Sequence, residues 1–484
     1  MNEIDLSGIH PWYTQLGYRA NPFQVDSLEP TDEGLRLLVG RDDELKELCK
    51  QILSADKVIC VEGAWGVGKT SLVNAASHYL CKKYVEGKIF QRVIPCVQTF
   101  ELTADTSVEE FAKKVYLHVI QALLNAIDNI DQKIALDTKK IETMRNWLND
   151  PSVFTGVGAT VLGVGVTGTK SLNQSPGFWN AGMEKTARGW LDEVFPRGQG
   201  GGIVCVIDNL EGLQSSVTAR RLLDTLRDRL FSAHGLQWVI CGANGIVNCA
   251  ASTRVADYFS TPLHIPDLPE SKMPLVLTTR LVEYAGPTAQ SLPLTSSSFA
   301  FLYSTLNFNL RATLAMADEY CKLTTEQSPK FADEDAKAAR FERWLRDRAR
   351  TLHDQMERVL PQAAWAVLDV VMSDRFKGEF GLGNLSAIQS SIRRKIATKK
   401  TPNEETLRKH VNVLARQQLI VKQFDSDEVD LSTDDKESAS PSTLSTYYRV
   451  TNRGALAHFH RLVTDKRETF EVANWLRTTA ALAG

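Results

Sequence analysis

The sequence has little excess of charge of either sign, with a formal net charge of −2 over 484 residues. A strongly basic chain would indicate nucleic acid or an anionic membrane as a partner, so any basic surface here must be local. The eight cysteines are scattered, and none belongs to a Cys-x-x-Cys pair. We therefore predict no disulfide framework and no cysteine zinc site, but small buried thiols in a reducing compartment.

Long apolar runs are also scarce. The longest uncharged one, residues 153–169, is short for a membrane-spanning helix and rich in glycine and threonine. We interpret it as a β-hairpin or an extended insertion; a hairpin that enters a membrane or contacts another subunit is the alternative. The chain begins without the basic-then-apolar pattern of a signal peptide. We expect a cytoplasmic protein with no membrane partner.

The histidines lack the spacing of a metal site as well. His458 and His460 alternate near the end of the chain, and we predict that they are structural or solvated. No nuclease, protease or deaminase constellation is visible. The 43% hydrophobic and 24% charged residues are typical of a globular chain, and its length allows two to four domains.

One stretch, Gly63-Ala-Trp-Gly-Val-Gly-Lys-Thr70, matches the phosphate-loop pattern G-x-x-x-x-G-K-[ST] at every fixed position. It lies between a predicted strand at 57–62 and a predicted helix from residue 71. Glycines let successive N–H groups face phosphate oxygens, and the helix dipole adds to this attraction. We predict that Lys69 reaches the β- and γ-phosphates and that the Thr70 hydroxyl binds Mg²⁺. The predicted binding residues are Gly63, Ala64, Trp65, Gly66, Val67, Gly68, Lys69, Thr70 and Ser71.

Short apolar strands alternate with helices up to residue 266. The predicted strands are 57–62, 91–100, 203–208, 237–244 and 262–266. This repetition predicts a three-layer α/β domain with a parallel sheet, whose ligand lies at the carboxyl edge of the strands. The third strand ends in Asp208, which we predict to hold Mg²⁺, usually through water; an ordinary strand-end acid is the alternative.

The chain divides at changes of pattern. We predict a lead-in at 1–35 that packs on the nucleotide domain, an α/β domain at 36–268 with an insertion at 128–200, and an all-α lid at 269–330. A helix is expected from residue 37 to about residue 54. A charged, solvated connecting helix at 331–358 then leads to a final domain at 359–484.

The final domain changes character. Helices at 361–373, 385–397 and 404–417, followed by strands at 419–424 and 446–451, resemble a winged helix-turn-helix. Residues 375–422 contain eleven Lys or Arg against three Asp or Glu, which suits phosphate contacts. The candidate DNA-binding residues are Arg393, Arg394, Lys395, Lys399, Lys400, Arg408, Lys409 and Arg416. The wing loop at 425–445 is acidic, is predicted to be disordered and would repel DNA, so a plain protein-contact module is the alternative.

Together these motifs resemble the AAA+ and STAND group of P-loop ATPases, and most closely the origin-recognition and archaeal initiator type, over roughly residues 35–460. The resemblance implies ATP as the nucleotide and places Val39 and Arg41, in Val39-Gly-Arg-Asp-Asp-Glu-Leu45, beside adenine and ribose. It makes Asn244 the sensor 1 residue. Arg311, in Asn309-Leu-Arg-Ala312, becomes the sensor 2 residue near the γ-phosphate, and Arg254 an arginine finger offered to a neighbouring subunit. A surface role for Arg254 is the alternative.

The sequence departs from this group after Asp208. Members that hydrolyse ATP quickly have a second acid there, whereas this chain has Asn209, which cannot accept a proton from water. Either Glu211 serves as the base, or hydrolysis is slow and the protein acts as a nucleotide switch.

The sequence is compatible with three functions. The first is an ATPase whose nucleotide state controls homo-oligomerisation and DNA binding through the winged helix. The second is a signalling or phage-defence switch whose winged helix is an interaction or autoinhibitory module. The third is an ATPase subunit that recruits a separate effector protein.

Overall fold

A five-stranded, wholly parallel sheet forms the centre of the nucleotide domain in the computed structural model. Its strands are β1 (Ile59–Gly63), β2 (Arg92–Glu101), β3 (Gly201–Asp208), β4 (Leu236–Gly242) and β5 (Leu263–Ile265). Their spatial order is β2-β3-β4-β1-β5. The structure describes residues 11–54, 57–129, 134, 136–149, 182–198, 200–213, 216–245, 247, 253–326, 331–395, 403–424 and 447–464.

Helices cover both faces of this sheet. The helices of the nucleotide domain are α3 (Asp42–Leu53), α4 (Lys69–Val85), α5 (Val108–Asn129), α6 (Thr138–Asn149), α7 (Met183–Val194), α8 (Ser216–Leu226) and α9 (Thr253–Ala256). Cys205 and Ile207 of β3 point into the core formed with α5, α7 and α8, whereas Val204 and Val206 point into the core formed with α3 and α4. Burial on both faces explains the nearly continuous apolar strands, and the predicted three-layer α/β class is confirmed.

The helix expected from residue 37 begins later. A short helix, α2 (Asp32–Leu37), is capped by the Thr31 hydroxyl, which accepts a hydrogen bond from the Gly34 N–H. Gly40 then has a φ of +73°, in the left-handed region that glycine tolerates, and α3 begins only at Asp42. The prediction of a single helix across this turn was wrong because the glycine breaks it.

The lid helices share a core with the amino-terminal segment. They are α10 (Met273–Tyr284), α11 (Ser296–Thr305) and α12 (Leu310–Glu326). Tyr13, which lies in α1 (Trp12–Gln15), donates a hydrogen bond to Asp318 of the lid over 2.6 Å. Residues further along the segment contact the nucleotide domain, where the Leu28 N–H donates to the Ser71 hydroxyl. The lead-in therefore bridges the nucleotide domain and the lid.

The connecting helix α13 (Glu334–Glu357) has one buried face. Phe341, Leu345 and Ala349 are fully buried and belong to the core of the lid. The helix carries many exposed ion pairs on its other face, each worth at most about 1 kcal/mol. It is thus anchored to the lid and not solvated on all sides.

The carboxyl-terminal domain combines helices with a small antiparallel sheet. Its elements are α14 (Gln362–Val371), β6 (Glu379–Gly381), α15 (Leu385–Lys395), α16 (Glu404–Arg416), β7 (Ile420–Phe424), β8 (Tyr447–Val450) and α17 (Asn452–Thr464). The strand order is β6-β8-β7. The predicted three helices and two strands are all present. Two elements were not predicted: β6, which is only three residues long, and α17, which packs on α13.

Some expectations fall outside the described residues. These are the hairpin at 153–169, the acidic loop at 425–445, and Lys399 and Lys400. The predicted burial of cysteine is confirmed at the seven described positions. Within the described ranges, no helix combines the length and apolar composition needed to cross a bilayer.

Candidate nucleotide site

The phosphate loop joins β1 to α4 as the motif requires. Gly66 and Gly68 have φ values of +76° and +97°, which L-residues with a side chain rarely adopt. Lys69 begins α4, and its side chain returns over the loop, where Nζ donates to the carbonyls of Gly63 at 3.1 Å and Ala64 at 3.3 Å. An ammonium has three donors, so one remains for a phosphate oxygen.

Thr70 and Asp208 meet at the carboxyl edge of the sheet. The Thr70 hydroxyl donates a short hydrogen bond to Asp208 Oδ2, and Asp208 Oδ1 accepts from the Asn209 N–H at 2.9 Å. A hydroxyl and a carboxylate are hard oxygen donors, the type that Mg²⁺ prefers. The residues present therefore fit the predicted magnesium ion, which Thr70 and Asp208 would hold together with phosphate oxygens and water.

A cavity of about 440 Å³ opens beside these residues. Its lining residues are Val25, Asp26, Ser27, Trp65, Gly66, Gly68, Lys69, Thr70, Ser71, Thr99, Glu101, Asp208, Asn209, Glu211 and Arg311. The contribution of residues 25–27 was not predicted, because nothing in the sequence Val25-Asp-Ser27 marks it as part of a site.

Two glutamates line the cavity in different settings. Glu211 lies on a single helical turn, Leu210–Leu213, and is 8% exposed; its Oε2 accepts a hydrogen bond from the Ala243 N–H at 3.2 Å. Glu101 is the last residue of β2, is exposed, and is paired in register with Asp208 of β3. Glu101 was not predicted as a site residue because the predicted strand ended one residue earlier, at position 100.

The lid closes on the loop through Asn309 and Arg311. Arg311 lines the cavity, and a Cβ placed on Gly66 would lie 2.4 Å from Asn309 Oδ1. Only glycine at this position lets the lid approach so closely. Asn309 Oδ1 also accepts from the Ala312 N–H and so caps the start of α12.

The residues expected beside adenine occupy the back of the loop. Arg41 is 4% exposed, and its guanidinium donates to the Val67 carbonyl at 3.2 Å and to Glu44 at 2.9 Å. Val39 packs against the core of the lid. Arg41 therefore supports the phosphate loop from behind, and neither residue is among those that line the cavity.

Glu62, the residue before the loop, fixes the chain that follows β4. It is 8% exposed, and its Oε1 accepts from the Val247 N–H at 2.9 Å. Burial raises the pKa of Glu62, while the backbone N–H groups of Gly245 and Val247 oppose this shift. Glu62 thus holds the turn that carries Asn244.

The carboxyl-terminal domain touches this site directly. Arg449 of β8 is 3% exposed and donates to the Trp65 carbonyl in the phosphate loop at 3.3 Å. It also pairs with Glu379 of β6 at 3.5 Å, and Glu379 Oε2 accepts from Asn244 Nδ2 at 3.3 Å. We call these four residues the docking contact.

Asn307 adds a second connection, from the lid to the same domain. Its Nδ2 donates to the Lys377 carbonyl at 3.0 Å. A Cβ on Gly378 would lie 2.2 Å from that nitrogen, and Gly378 has a φ of +80°. The lid and the phosphate loop therefore both contact the carboxyl-terminal domain.

Arg254 lies apart from the cavity. It is exposed on α9, and its backbone carbonyl accepts from Arg227 at 3.2 Å. Nothing in a single chain tests a role toward a neighbouring subunit, so the arginine finger stays a prediction.

The candidate DNA-binding residues are only partly available to phosphates. Arg393 and Arg416 are exposed. Arg408 and Lys409 are also exposed but pair with Glu404 and Glu405 one turn earlier, at 3.2 and 2.9 Å. Arg394 and Lys395 belong to the last turn of α15, after Arg393.

Comparison with known families settles the class of the nucleotide domain. Residues 42–254 match the model described as the KAP family P-loop domain. This part of the chain is a P-loop NTPase domain. The predicted P-loop NTPase fold is thereby confirmed for this part of the chain.

Several solved structures are similar to the whole chain at low identity. The ADP form of the Aeropyrum pernix ORC2 protein shares 10% identity with a TM-score of 0.43, covering 96% of this chain and 98% of that one. The Walker-type ATPase PABY2304 of Pyrococcus abyssi shares 12% with a TM-score of 0.40, covering 90% and 99%. Cdc6p from Pyrobaculum aerophilum shares 9% with a TM-score of 0.35, covering 94% and 98%. Among curated proteins, no significant match was found.

Proposed function

We propose that this protein is an ATP-dependent switch in which the nucleotide controls whether the carboxyl-terminal domain stays docked on the P-loop domain. The observation that carries the proposal is the hydrogen bond from Arg449 to the Trp65 carbonyl, because Trp65 lies inside the phosphate loop. A domain that holds the loop itself must respond when the loop binds phosphate.

The cavity supports the first part of the proposal, the binding of the nucleotide. Lys69 and the N–H groups of the loop would bind the β- and γ-phosphates, and Arg311 would approach the γ-phosphate from the lid. Mg²⁺ bound by Thr70 and Asp208 would neutralise phosphate charge. Because Asn209 stands in place of a second acid, hydrolysis must rely on a base elsewhere in the cavity, which favours slow turnover and a long-lived ATP state.

The docking contact supports the second part of the proposal, the release of the carboxyl-terminal domain. Asn244 donates to Glu379, and its Oδ1 is buried with no hydrogen-bond partner among the described residues. As sensor 1, Asn244 would turn toward a γ-phosphate and release Glu379, which pairs with Arg449. A ligand shifts such an equilibrium only by its differential affinity for the two states. We propose that ADP binds the docked state more tightly and ATP the released state.

We expect Arg449→Ala to release the domain. Removing the buried guanidinium deletes the hydrogen bond to Trp65 and the ion pair with Glu379, which keeps only its hydrogen bond from Asn244. Dissociation of a fluorescent ADP analogue should accelerate at least about 10-fold, which corresponds to about 1.4 kcal/mol. Small-angle scattering should show a larger radius of gyration.

Two variants control for damage to the domain. Arg453→Ala removes an exposed arginine from α17 in the same domain and should leave ADP release and the scattering curve unchanged. Arg449→Met keeps the hydrocarbon stem but not the donor, and should behave as the alanine variant does. If both Arg449 variants release ADP at the wild-type rate, the contact does not control the nucleotide and the switch is rejected.

A second candidate function is DNA binding by the released domain. The exposed Arg393 and Arg416, on separate helices of a winged-helix-like domain, favour it. ATP-dependent assembly of subunits through Arg254, or recruitment of a separate effector, could follow the same release.

We expect the ATP-bound protein to bind duplex DNA with an affinity that falls steeply with salt. Removing one cation that binds a phosphate should reduce the slope of log K against log salt by about 0.9, so Arg393→Ala with Arg416→Ala should reduce it by about 2. Glu404→Gln with Glu405→Gln releases Arg408 and Lys409 from their ion pairs and should tighten binding. Arg348→Ala, on the exposed face of α13, is the matched control. Absence of DNA binding at low salt would leave the domain as a protein-contact module.

A further inference from the structure

His353 of α13 and His460 of α17 lie side by side, far apart in sequence. Their ring centroids are 4.7 Å apart. Asp354 is adjacent, and the three residues each offer a ligand atom, all within 4.8 Å of one another. The prediction that the histidines form no metal-spaced cluster rested on sequence spacing, whereas the packing of α17 on α13 brings these two together.

The His353 ring is held in place by packing, but one of its nitrogens lacks a hydrogen-bond partner. Its side chain is 12% exposed, and its ring stacks on Trp365 with centroids 4.9 Å apart. Its Nδ1 is buried with no hydrogen-bond partner among the described residues, and Asp354 Oδ1 is 3.8 Å away, too far for a hydrogen bond. Most buried nitrogens have a hydrogen-bond partner, so a water molecule or an ion is expected beside this one.

We propose that His353, His460 and Asp354 bind a divalent transition-metal ion, with Zn²⁺ as the best fit. Two imidazoles and one carboxylate, completed by water, form a common four-coordinate set for zinc, and imidazole excludes Mg²⁺ and Ca²⁺ as preferred occupants. An ion about 2.1 Å from each ligand requires ligand atoms about 3.4 Å apart, which side-chain adjustment of about 1 Å achieves.

The surrounding charges permit a cation. Arg350 opposes a cation at both Asp354 and His460, but its side chain is 71% exposed and its Nε lies 3.8 Å from Asp354 Oδ2, whereas His353 faces the other carboxylate oxygen, Oδ1. The other nearby cation, Arg461, stacks on Trp365 and pairs with Asp369. Glu357 adds a negative charge toward His460. Arg350 can therefore turn to solvent when a cation binds.

The ion would link the connecting helix to the end of the carboxyl-terminal domain. On other positions of α17, His458 and Arg461 contact Asp369 of α14, which fixes this helix to its own domain. A metal ion at His460 would fix the same helix to α13, whose buried face belongs to the lid. The site would thus stabilise the position of the whole domain relative to the lid.

The test uses the full chain without a histidine tag, stripped of metal by EDTA and returned to buffer with Mg²⁺. Titration with CoCl₂ should give visible absorption typical of a four-coordinate site at one equivalent, and calorimetry with ZnCl₂ should give the same stoichiometry. Zn²⁺ should also raise the unfolding temperature. His460→Gln and His353→Gln should each abolish the absorption, since even loss of a group that merely orients a ligand costs about 10- to 100-fold in affinity.

Asp354→Asn tests the site even if the histidine variants fail to fold. Its side chain is 56% exposed, so stability without metal should be unchanged, whereas zinc affinity should fall about 10-fold or more. His410→Gln, a partly buried histidine on α16, is the matched control and should bind as the wild type does. Wild-type protein that binds no Co²⁺ or Zn²⁺, or ligand variants that bind them equally well, would overturn the proposal.

Discussion

Replacing Lys69 with alanine should abolish productive triphosphate binding. Lys69 is 7% exposed, and the carbonyls of Gly63 and Ala64 hold its ammonium over the loop, where it can meet phosphates. Its loss would remove the charge-assisted contact that we propose for it with both the β- and γ-phosphates. Turnover of ATP should fall at least about 100-fold, the effect of losing one preorganised charge stabiliser. Release of labelled phosphate measures turnover, and titration with a fluorescent ATP analogue measures the affinity for ATP.

Lys69→Ala should weaken ADP binding less than ATP binding. ADP keeps its contacts to the N–H groups of the loop, so its affinity should fall less than that of ATP. Lys83→Ala removes a lysine from the far end of the same helix, where it pairs with Glu86, and should leave both affinities unchanged. Equal ATP affinity in wild type and Lys69→Ala would mean that the cavity beside the loop is not a triphosphate site.

The parts of this fold that the sequence predicted are those with local causes. The strand ending in Asp208 and the loop at Gly63–Thr70 each combine an apolar run with a polar or glycine-rich end, and a parallel sheet brings those ends to one edge. Gly40 shows the limit of this reasoning, because periodicity continues across a turn that only the backbone φ reveals.

The parts that escaped prediction depend on contacts between distant segments. Arg449 gives no signal in its own strand, since an arginine in a short antiparallel strand normally faces water, and only the packing of β8 against the loop buries it. His353 and His460 meet because α17, itself not predicted, returns along α13. Glu101 required the length of β2 to be known to one residue.

Asn209 cannot serve as the general base, and Glu101 is the strongest candidate for that role. A general base must reach the water that attacks the γ-phosphate and must be free to accept its proton. Glu101 is exposed in the cavity and opposite Asp208, on a neighbouring strand about 4.8 Å away. Glu211 lines the same cavity, but it is buried and its carboxylate already accepts the Ala243 N–H.

We expect Glu101→Gln to lower ATP turnover about 100-fold while leaving the affinity for ATP nearly unchanged, because a base acts on water and not on the bound nucleotide. Glu211→Gln should reduce turnover less and should instead lower the unfolding temperature, since a neutral amide oxygen accepts the Ala243 N–H more weakly than a carboxylate does. Asn209→Asp restores an acid beside Asp208 and should rescue Glu101→Gln in part. If Glu211→Gln abolishes turnover and Glu101→Gln does not, the base lies on the helical turn after β3, which is the position that the sequence alone suggests.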